Sequence, residues 1–127
     1  MNGFRIILAV ALLGLRMAMA ADQPIHFSRE IRPILSENCF ACHGPDEEQR
    51  KAKLRLDTKE GALSSEDEVH IIKPGSSSES ELIKRIVASD PDDLMPPTDS
   101  GKKLSTAQID LLKRWIDQGG KSETHWA

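Results

Sequence analysis

Large aromatic side chains are scarce in this sequence. Its 127 residues include three Phe, two Trp and no Tyr, and one of the three Phe, Phe4, lies near the N-terminus. A domain of this size usually fills its core with several aromatic rings. The shortage is therefore consistent with a large apolar cofactor that supplies part of the core, although Leu and Ile side chains can also fill one.

An excess of basic residues is also missing. The chain has 17 Lys and Arg against 20 Asp and Glu, and the formal net charge is −3. Acidic and basic residues alternate along the chain without forming a basic stripe, so the sequence does not indicate a nucleic-acid-binding protein. The balance is typical of a mildly acidic soluble protein, which can dock on a basic partner surface but need not.

The apolar run near the N-terminus, Ile6–Leu15, has ten residues and is too short to span a bilayer. Arg5 precedes it, and the small-x-small sequence Ala18–Ala20 follows. This order predicts a signal peptide at residues 1–20 and a periplasmic or otherwise exported domain at residues 21–127. Cleavage would remove two Arg and no acid, which takes the formal charge from −3 to −5. An uncleaved anchor or a buried apolar helix is the alternative.

Three helices are predicted from capping signals and apolar spacing. The first covers residues 27–38, is capped by Ser28, and is short or bent because Pro33 lacks an amide hydrogen. The pair Ser78 and Glu81 forms a capping-box pattern before a second helix. For the third helix, the pattern Ser105–Gln108 predicts the start and Gly119 the end.

The intervening segments are predicted from composition and alternation. Residues 53–57, KLRLD, alternate weakly and indicate a short extended piece, followed by a helical turn that ends near Gly61. Residues 70–75 read as an extended segment closed by a Pro-Gly turn, and residues 90–101 as a loop with three prolines.

Residues 39–43, CFACH, have the spacing at which haem c is attached. Cys39 and Cys42 can each add to one vinyl group of haem, which forms two thioether bonds. His43 follows directly, so its imidazole is placed to bind the iron from the proximal side. These are the two cysteines of the chain, and no thiol is left over. The motif predicts one covalently attached haem c.

Other uses of the two cysteines are possible in an exported protein. Cys39 and Cys42 can form a structural disulfide in an oxidising compartment. A thioredoxin-like redox motif is the functional alternative, but it expects a βαβ context, and the sequence shows no strong strands around the motif. A zinc site has too few nearby ligands.

Met95 is the candidate for the second axial iron ligand. The other three Met residues lie within residues 1–20. Pro96 and Pro97 follow Met95 and stiffen the loop that carries it. A thioether ligand raises the reduction potential of haem iron. Packing of Met95 into the core is the ordinary alternative, and three histidines are rival ligands: His70 as the best of them, His26 and His125.

Several segments together resemble the class I cytochrome c family, and more narrowly the planctomycete-type cytochrome c domain. They are FSREIRPILSENCFACHG, KLRLDTKEGAL, DPDDLMPP and LLKRWIDQGGK, and the similar region extends over nearly all of residues 27–126. The resemblance implies an all-α, class I cytochrome c-like fold, in which three or more helices surround one haem. It also implies Cys39 and Cys42 as attachment points, His43 as proximal ligand and Met95 as distal ligand.

The expected function is outer-sphere electron transfer with a redox partner protein. With both axial positions filled, the iron needs no small-molecule substrate, so an electron carrier is expected and not an enzyme. The related domain usually belongs to longer exported proteins, so further domains of such a protein are also expected partners. Two alternatives stay open: a haem domain with a displaceable distal ligand, acting as a sensor or enzyme module, and a haem-free thiol-disulfide module.

Overall fold

A computed structural model describes residues 23–123 and 125–126 of the chain. The predicted signal peptide at residues 1–20 and the start of the predicted domain at residue 21 lie outside the described residues. Within the described ranges, none of the helices combines the length and the apolar composition needed to cross a bilayer.

The described part of the chain is mostly helical, as the sequence predicts, and a very small β-hairpin adds to the helices. The elements are a π-helical turn (Phe27–Ile31), α1 (Arg32–Asn38), α2 (Lys59–Ala62), β1 (Ser65–Glu66), β2 (Val69–His70), a 3-10 turn (Ser77–Glu79), α3 (Glu81–Ile86), a second 3-10 turn (Thr98–Ser100) and α4 (Thr106–Asp117). The two strands are antiparallel, with Ser65 opposite His70 and Glu66 opposite Val69.

The first helical segment changes its type where the proline occurs. The π-helical turn Phe27–Ile31 leads directly into α1, and Pro33 lies within the first two positions of α1. A missing amide is tolerated there, because the first amides of a helix lack an intrahelical partner. The prediction of a short or bent helix is confirmed. The predicted cap at Ser28 is wrong, because the helical turn begins one residue earlier and the Ser28 hydroxyl donates to Glu123.

The predicted capping box before α3 is also wrong. Ser78 lies in the 3-10 turn, and Ser80 occupies the N-cap position without a side-chain capping bond. The Ser80 hydroxyl donates to the carbonyl of Ser76 at 2.8 Å and accepts from the amide of Lys73 at 2.9 Å. The extra turn before the helix therefore moves the helix start beyond the reach of Ser78.

Helix α4 has both of its predicted ends. The Ser105 hydroxyl accepts from the Gln108 amide at 3.1 Å, and the Gln108 side chain accepts from the Ser105 amide at 2.9 Å. At the other end, the Gly119 amide donates to Ile116 and the Gly120 amide donates to Trp115. This is a Schellman motif, and the φ of +112° at Gly119 explains why glycine is needed there.

Residues 53–57 do not form the predicted extended piece. Ala52 and Lys53 have left-handed backbone angles, with φ of +53° and +56°, and turns and bends replace a strand. The helical turn predicted next is confirmed as α2, whose N-cap Thr58 accepts from the amide of Gly61. The turn predicted at Gly75 is also confirmed, with a φ of +86°.

Three aromatic rings form the centre of the core. The ring of Phe27 lies 5.4 Å from that of Trp115 and 4.4 Å from that of Trp126, and all three side chains are buried. Trp115 thus packs on the first helical segment. The Trp126 indole N–H donates to the carbonyl of Leu56 at 2.7 Å, so burial leaves no polar atom of this ring unpaired.

The two ends of the described chain are joined by side-chain hydrogen bonds. Glu123 accepts from the amide of Ser28 at 3.0 Å and from its hydroxyl at 2.7 Å, and it lies 3.6 Å from His26. Gln118 accepts from the amide of Ile25 and donates to the carbonyl of Gln23. The hydrogen bonds from Ser28 are the main reason why the pKa of Glu123 falls to about 2.

Substitution of Ser105 tests the capping box. We expect Ser105→Ala to lower the free energy of unfolding by about 1 kcal/mol, because the amide of Gln108 at the start of α4 loses the hydroxyl that accepts from it. Ser78→Ala is the matched control, since Ser78 does not cap a helix, and it should leave stability nearly unchanged. Equal losses in urea unfolding of the two variants would contradict this assignment.

The connection through Glu123 predicts a dependence of stability on pH. Because the pKa of Glu123 is lowered by folding, the ionised carboxylate stabilises the fold above its ordinary pKa, and the effect is lost as the pH falls toward 2. Glu123→Gln should therefore lower the melting temperature at pH 6, and its difference from the parent should shrink between pH 4.5 and 2. A difference that does not change across this range would contradict the prediction.

Candidate functional site

The motif CFACH is a helical turn attached to the end of α1. Cys39 is the C-cap residue of α1, and its amide donates to the carbonyl of Leu35 at 2.8 Å. The carbonyl of Cys39 in turn accepts from the amides of Cys42 at 3.2 Å and His43 at 2.8 Å. Cys39, Cys42 and His43 are thereby brought together in one turn, as their spacing predicts.

Glycine is required directly after the motif. Gly44 is buried, and a Cβ atom at this position would overlap the backbone carbonyl of Phe40. The collision would be with backbone atoms, which cannot rotate away as a side chain can. Gly44 therefore allows the chain to pass close over the turn that carries both cysteines.

The imidazole of His43 is oriented by a backbone carbonyl. Its Nδ1 lies 3.2 Å from the carbonyl oxygen of Lys51, which is the acceptor that the sequence could not identify. A histidine that donates from Nδ1 presents the lone pair of Nε2 to a metal. Partial burial lowers the pKa of His43, while the backbone bonds to Lys51 and Leu54 oppose this shift, so the neutral form that binds metals is favoured.

The loop that supplies this carbonyl is closed by Arg50. Its guanidinium donates to the carbonyl of Gly44 at 2.9 Å and to that of Pro45 at 3.1 Å. The amide of Lys51 donates to the carbonyl of Cys42 at 2.7 Å. Neither residue was identified from the sequence, because Lys51 acts through its backbone and Arg50 lies in a run that reads as a charged surface loop.

The two thiols differ in their environments. The structure places them as free cysteines, with Cys39 half-buried and Cys42 exposed. Burial raises the pKa of Cys39 to about 11, the neighbouring Cys42 adds to the shift, and the ammonium of Lys102 opposes it. Cys39 is therefore a neutral thiol near pH 7 and a poor nucleophile by thiolate chemistry.

Met95 lies on a different segment from the motif. It is half-buried, and its amide donates to the carbonyl of Arg85 in α3 at 3.1 Å. This contact ties Met95 to α3 and does not pair it with His43. The chain then returns toward the motif, where the Lys102 ammonium donates to the carbonyl of Glu37 at 2.7 Å, two residues before Cys39.

The other candidate ligands have different surroundings. His26 is exposed and lies next to Glu123, His70 belongs to β2, and His125 is exposed. Among the described residues, no three His, Cys, Asp or Glu side chains form a cluster that could hold a metal ion by themselves.

Arg55 is paired with a carboxylate within the protein. Its Nε lies 3.0 Å from one oxygen of Asp57 and its Nη2 lies 2.5 Å from the other. The buried carboxylate of Asp57 has a lowered pKa because of this bidentate pair. The guanidinium of Arg55 therefore already has a carboxylate partner in Asp57.

Comparison with known proteins identifies one family for the region that contains this site. A family model described as planctomycete cytochrome C matches residues 39–99, a region that includes Cys39, Cys42, His43 and Met95. Searches of the curated proteins and of the solved structures returned no match. The family match confirms the resemblance to the planctomycete-type cytochrome c domain, and the family implies covalently bound haem c.

The close packing at Gly44 leads to a test of the site. We expect Gly44→Ala to destabilise the protein by about 1–3 kcal/mol, because the new methyl group collides with the carbonyl of Phe40. The yield of haem-containing protein should fall as the stability of the protein falls. Ala41→Ser, at an exposed position of the same turn, is the control. Thermal unfolding that is identical for Gly44→Ala and the parent would show that the close approach is unimportant.

Proposed function

Because residues 39–99 match the planctomycete cytochrome c family, we propose that this chain is an exported mono-haem c-type cytochrome that carries single electrons between redox partner proteins. The proposal includes removal of residues 1–20 and a periplasmic or otherwise exported location. Cytochrome c domains of this kind generally carry electrons, which supports a carrier role without a small-molecule substrate.

The orientation of His43 is the observation that carries the proposal. Its hydrogen bond from Nδ1 to Lys51 holds the ring in one tautomer, with Nε2 as the nitrogen for iron. Cys39 and Cys42 are free thiols on the same turn, as thioether formation with haem requires. The residues present therefore fit haem c, and they would hold it from the proximal side.

Met95 is proposed as the distal ligand. Haem c, when bound, supplies an iron centre that accepts and returns one electron at a time. A thioether at this position stabilises the ferrous state and raises the potential. The half-buried position of Met95, and the return of the following segment to the motif through Lys102, support this assignment.

The environment of Cys39 argues against a thiol-disulfide function. Reactive cysteines of such motifs have lowered pKa values, and the start of a helix helps to lower them. Cys39 instead follows the end of α1, where the helix dipole disfavours a thiolate, and burial raises its pKa to about 11. A neutral thiol is still able to add to a vinyl group during assisted haem attachment.

The proposal is tested on protein exported from a host that has haem-attachment machinery. Intact mass should show the loss of residues 1–20 and a covalent gain of one haem, and the visible spectrum should be low-spin and six-coordinate. Met95→Ala should lose the weak far-red band of a sulfur–iron bond. Leu94→Ala, a truncation at the preceding loop position that leaves the sulfur in place, should keep it.

Other outcomes would assign a different ligand or a different function to this chain. One covalent haem without the far-red band in the parent would move the distal ligand to His70 or leave the iron open, and rapid binding of carbon monoxide to the reduced protein would then support a sensor or enzyme module. A chain that carries no haem and has Cys39 oxidised to Cys42 would refute the cytochrome proposal.

A further inference from the structure

We propose that Arg85 is a positioning residue for Met95: it holds the loop that carries Met95 through both its backbone and its guanidinium, and so keeps the sulfur available to the iron. This inference rests on the proposed function, in which Met95 is the distal ligand. Arg85 lies in the last turn of α3, outside the motif that contains the other haem-binding residues.

The first connection runs through the backbone. Arg85 belongs to the last turn of α3 and accepts, through its carbonyl, from the amide of Ala88 at 3.4 Å just past the helix end. Its carbonyl accepts from the amide of Met95 at 3.1 Å. The proposed ligand residue itself is therefore held by the helix end, and the position of its Cα atom depends directly on α3.

The second connection runs through the side chain. The Arg85 Nη1 lies 3.1 Å from an oxygen of Asp93, two residues before Met95. Its Nε lies 2.9 Å from Glu81, one turn earlier on the same helix. Glu81 fixes the guanidinium plane and leaves Nη1 aimed at the loop, an arrangement that the planar fork of arginine allows and the single ammonium of lysine does not.

The loop between these two connections is compact. The amides of Asp93 and Leu94 both lie 3.1 Å from the carbonyl of Asp90, and the amide of Asp92 donates to the Asp90 side chain at 2.9 Å. The turn is thus organised locally by Asp90 and attached to α3 by Arg85. Loss of the attachment would leave the turn intact but free to move as a unit.

The exposure of these groups determines which property should change. Arg85 is 42% exposed and Asp93 is 61% exposed, so solvent screens the ion pair and its effect on global stability is small. Opening of the loop is a local equilibrium, which an exposed pair can shift by about two- to fivefold. Removal of the ion pair should therefore make the Met95 sulfur easier to displace from the iron, while the free energy of global unfolding should stay nearly the same.

The experiment uses the complete haem protein in the ferric state, with imidazole as a competing ligand. We expect Arg85→Gln and Asp93→Ala each to increase the apparent affinity for imidazole by about two- to fivefold, measured by loss of the far-red sulfur–iron band. The double variant should show little more than either single change, because both remove the same contact. Arg85→Lys should recover only part of the effect.

Two matched controls separate this role from a general loss of charge. Arg114→Gln removes an arginine that is 41% exposed and pairs with Asp110 one turn earlier at 2.8 Å, with no contact to the Met95 loop among its described bonds. Asp92→Ala removes the carboxylate next to Asp93. Both controls should leave imidazole binding unchanged, and equal effects in the controls and in Arg85→Gln would overturn the proposal.

Amide hydrogen exchange of Met95 tests independently whether Arg85 holds the loop that carries Met95. In Arg85→Gln and Asp93→Ala, this amide should exchange faster than in the parent and in Arg114→Gln, whereas amides of α4 should not change. If the exchange rate of the Met95 amide is the same in these variants as in the parent, Arg85 does not hold the loop. A parent protein without the sulfur–iron band would refute Met95 as ligand, and the exchange data would then decide separately whether Arg85 holds the loop.

Discussion

Two hydrogen bonds of Leu56 connect the candidate site to the aromatic core. Its amide donates to the carbonyl of His43 at 2.7 Å, and its carbonyl accepts from the indole of Trp126 at 2.7 Å. Trp126 in turn packs on Phe27, which begins the helical segment that ends at Cys39. The motif is therefore held from both directions by the same core, and loss of either bond would leave a buried polar group unpaired.

The contacts that hold His43 differ in kind and in exposure from those that hold Met95. On the His43 side, the orienting contacts are backbone bonds in a partly buried loop that Arg50 closes. On the Met95 side, the connections are one backbone bond and ion pairs that remain exposed to solvent. Ion pairs of this kind are weak, and a thioether is a weaker iron ligand than an imidazole. If His43 and Met95 are the two iron ligands, as we propose, Met95 would be easier to displace than His43.

Local signals predicted elements correctly where their partners are also local. Both ends of α4 follow from Ser105, Gln108 and Gly119, because a capping box and a Schellman motif join residues a few positions apart. The predicted caps at Ser28 and Ser78 failed, since Ser28 is bound by Glu123 from the other end of the chain and an additional 3-10 turn displaces Ser78 from the helix start. Alternation in residues 53–57 did not produce a strand, because no partner strand lies beside them among the described residues.

The sequence by itself determined the chemistry available at the site, because covalent spacing alone places two thiols and an imidazole on one turn and because Met95 is the single methionine outside residues 1–20. It also determined most of the helical segments through their periodicity. Only the tertiary structure decided which carbonyl orients His43 and which helix end holds Met95. Any residue can supply a backbone carbonyl, so the residue type does not reveal this role, and the partners become neighbours only when distant segments pack together.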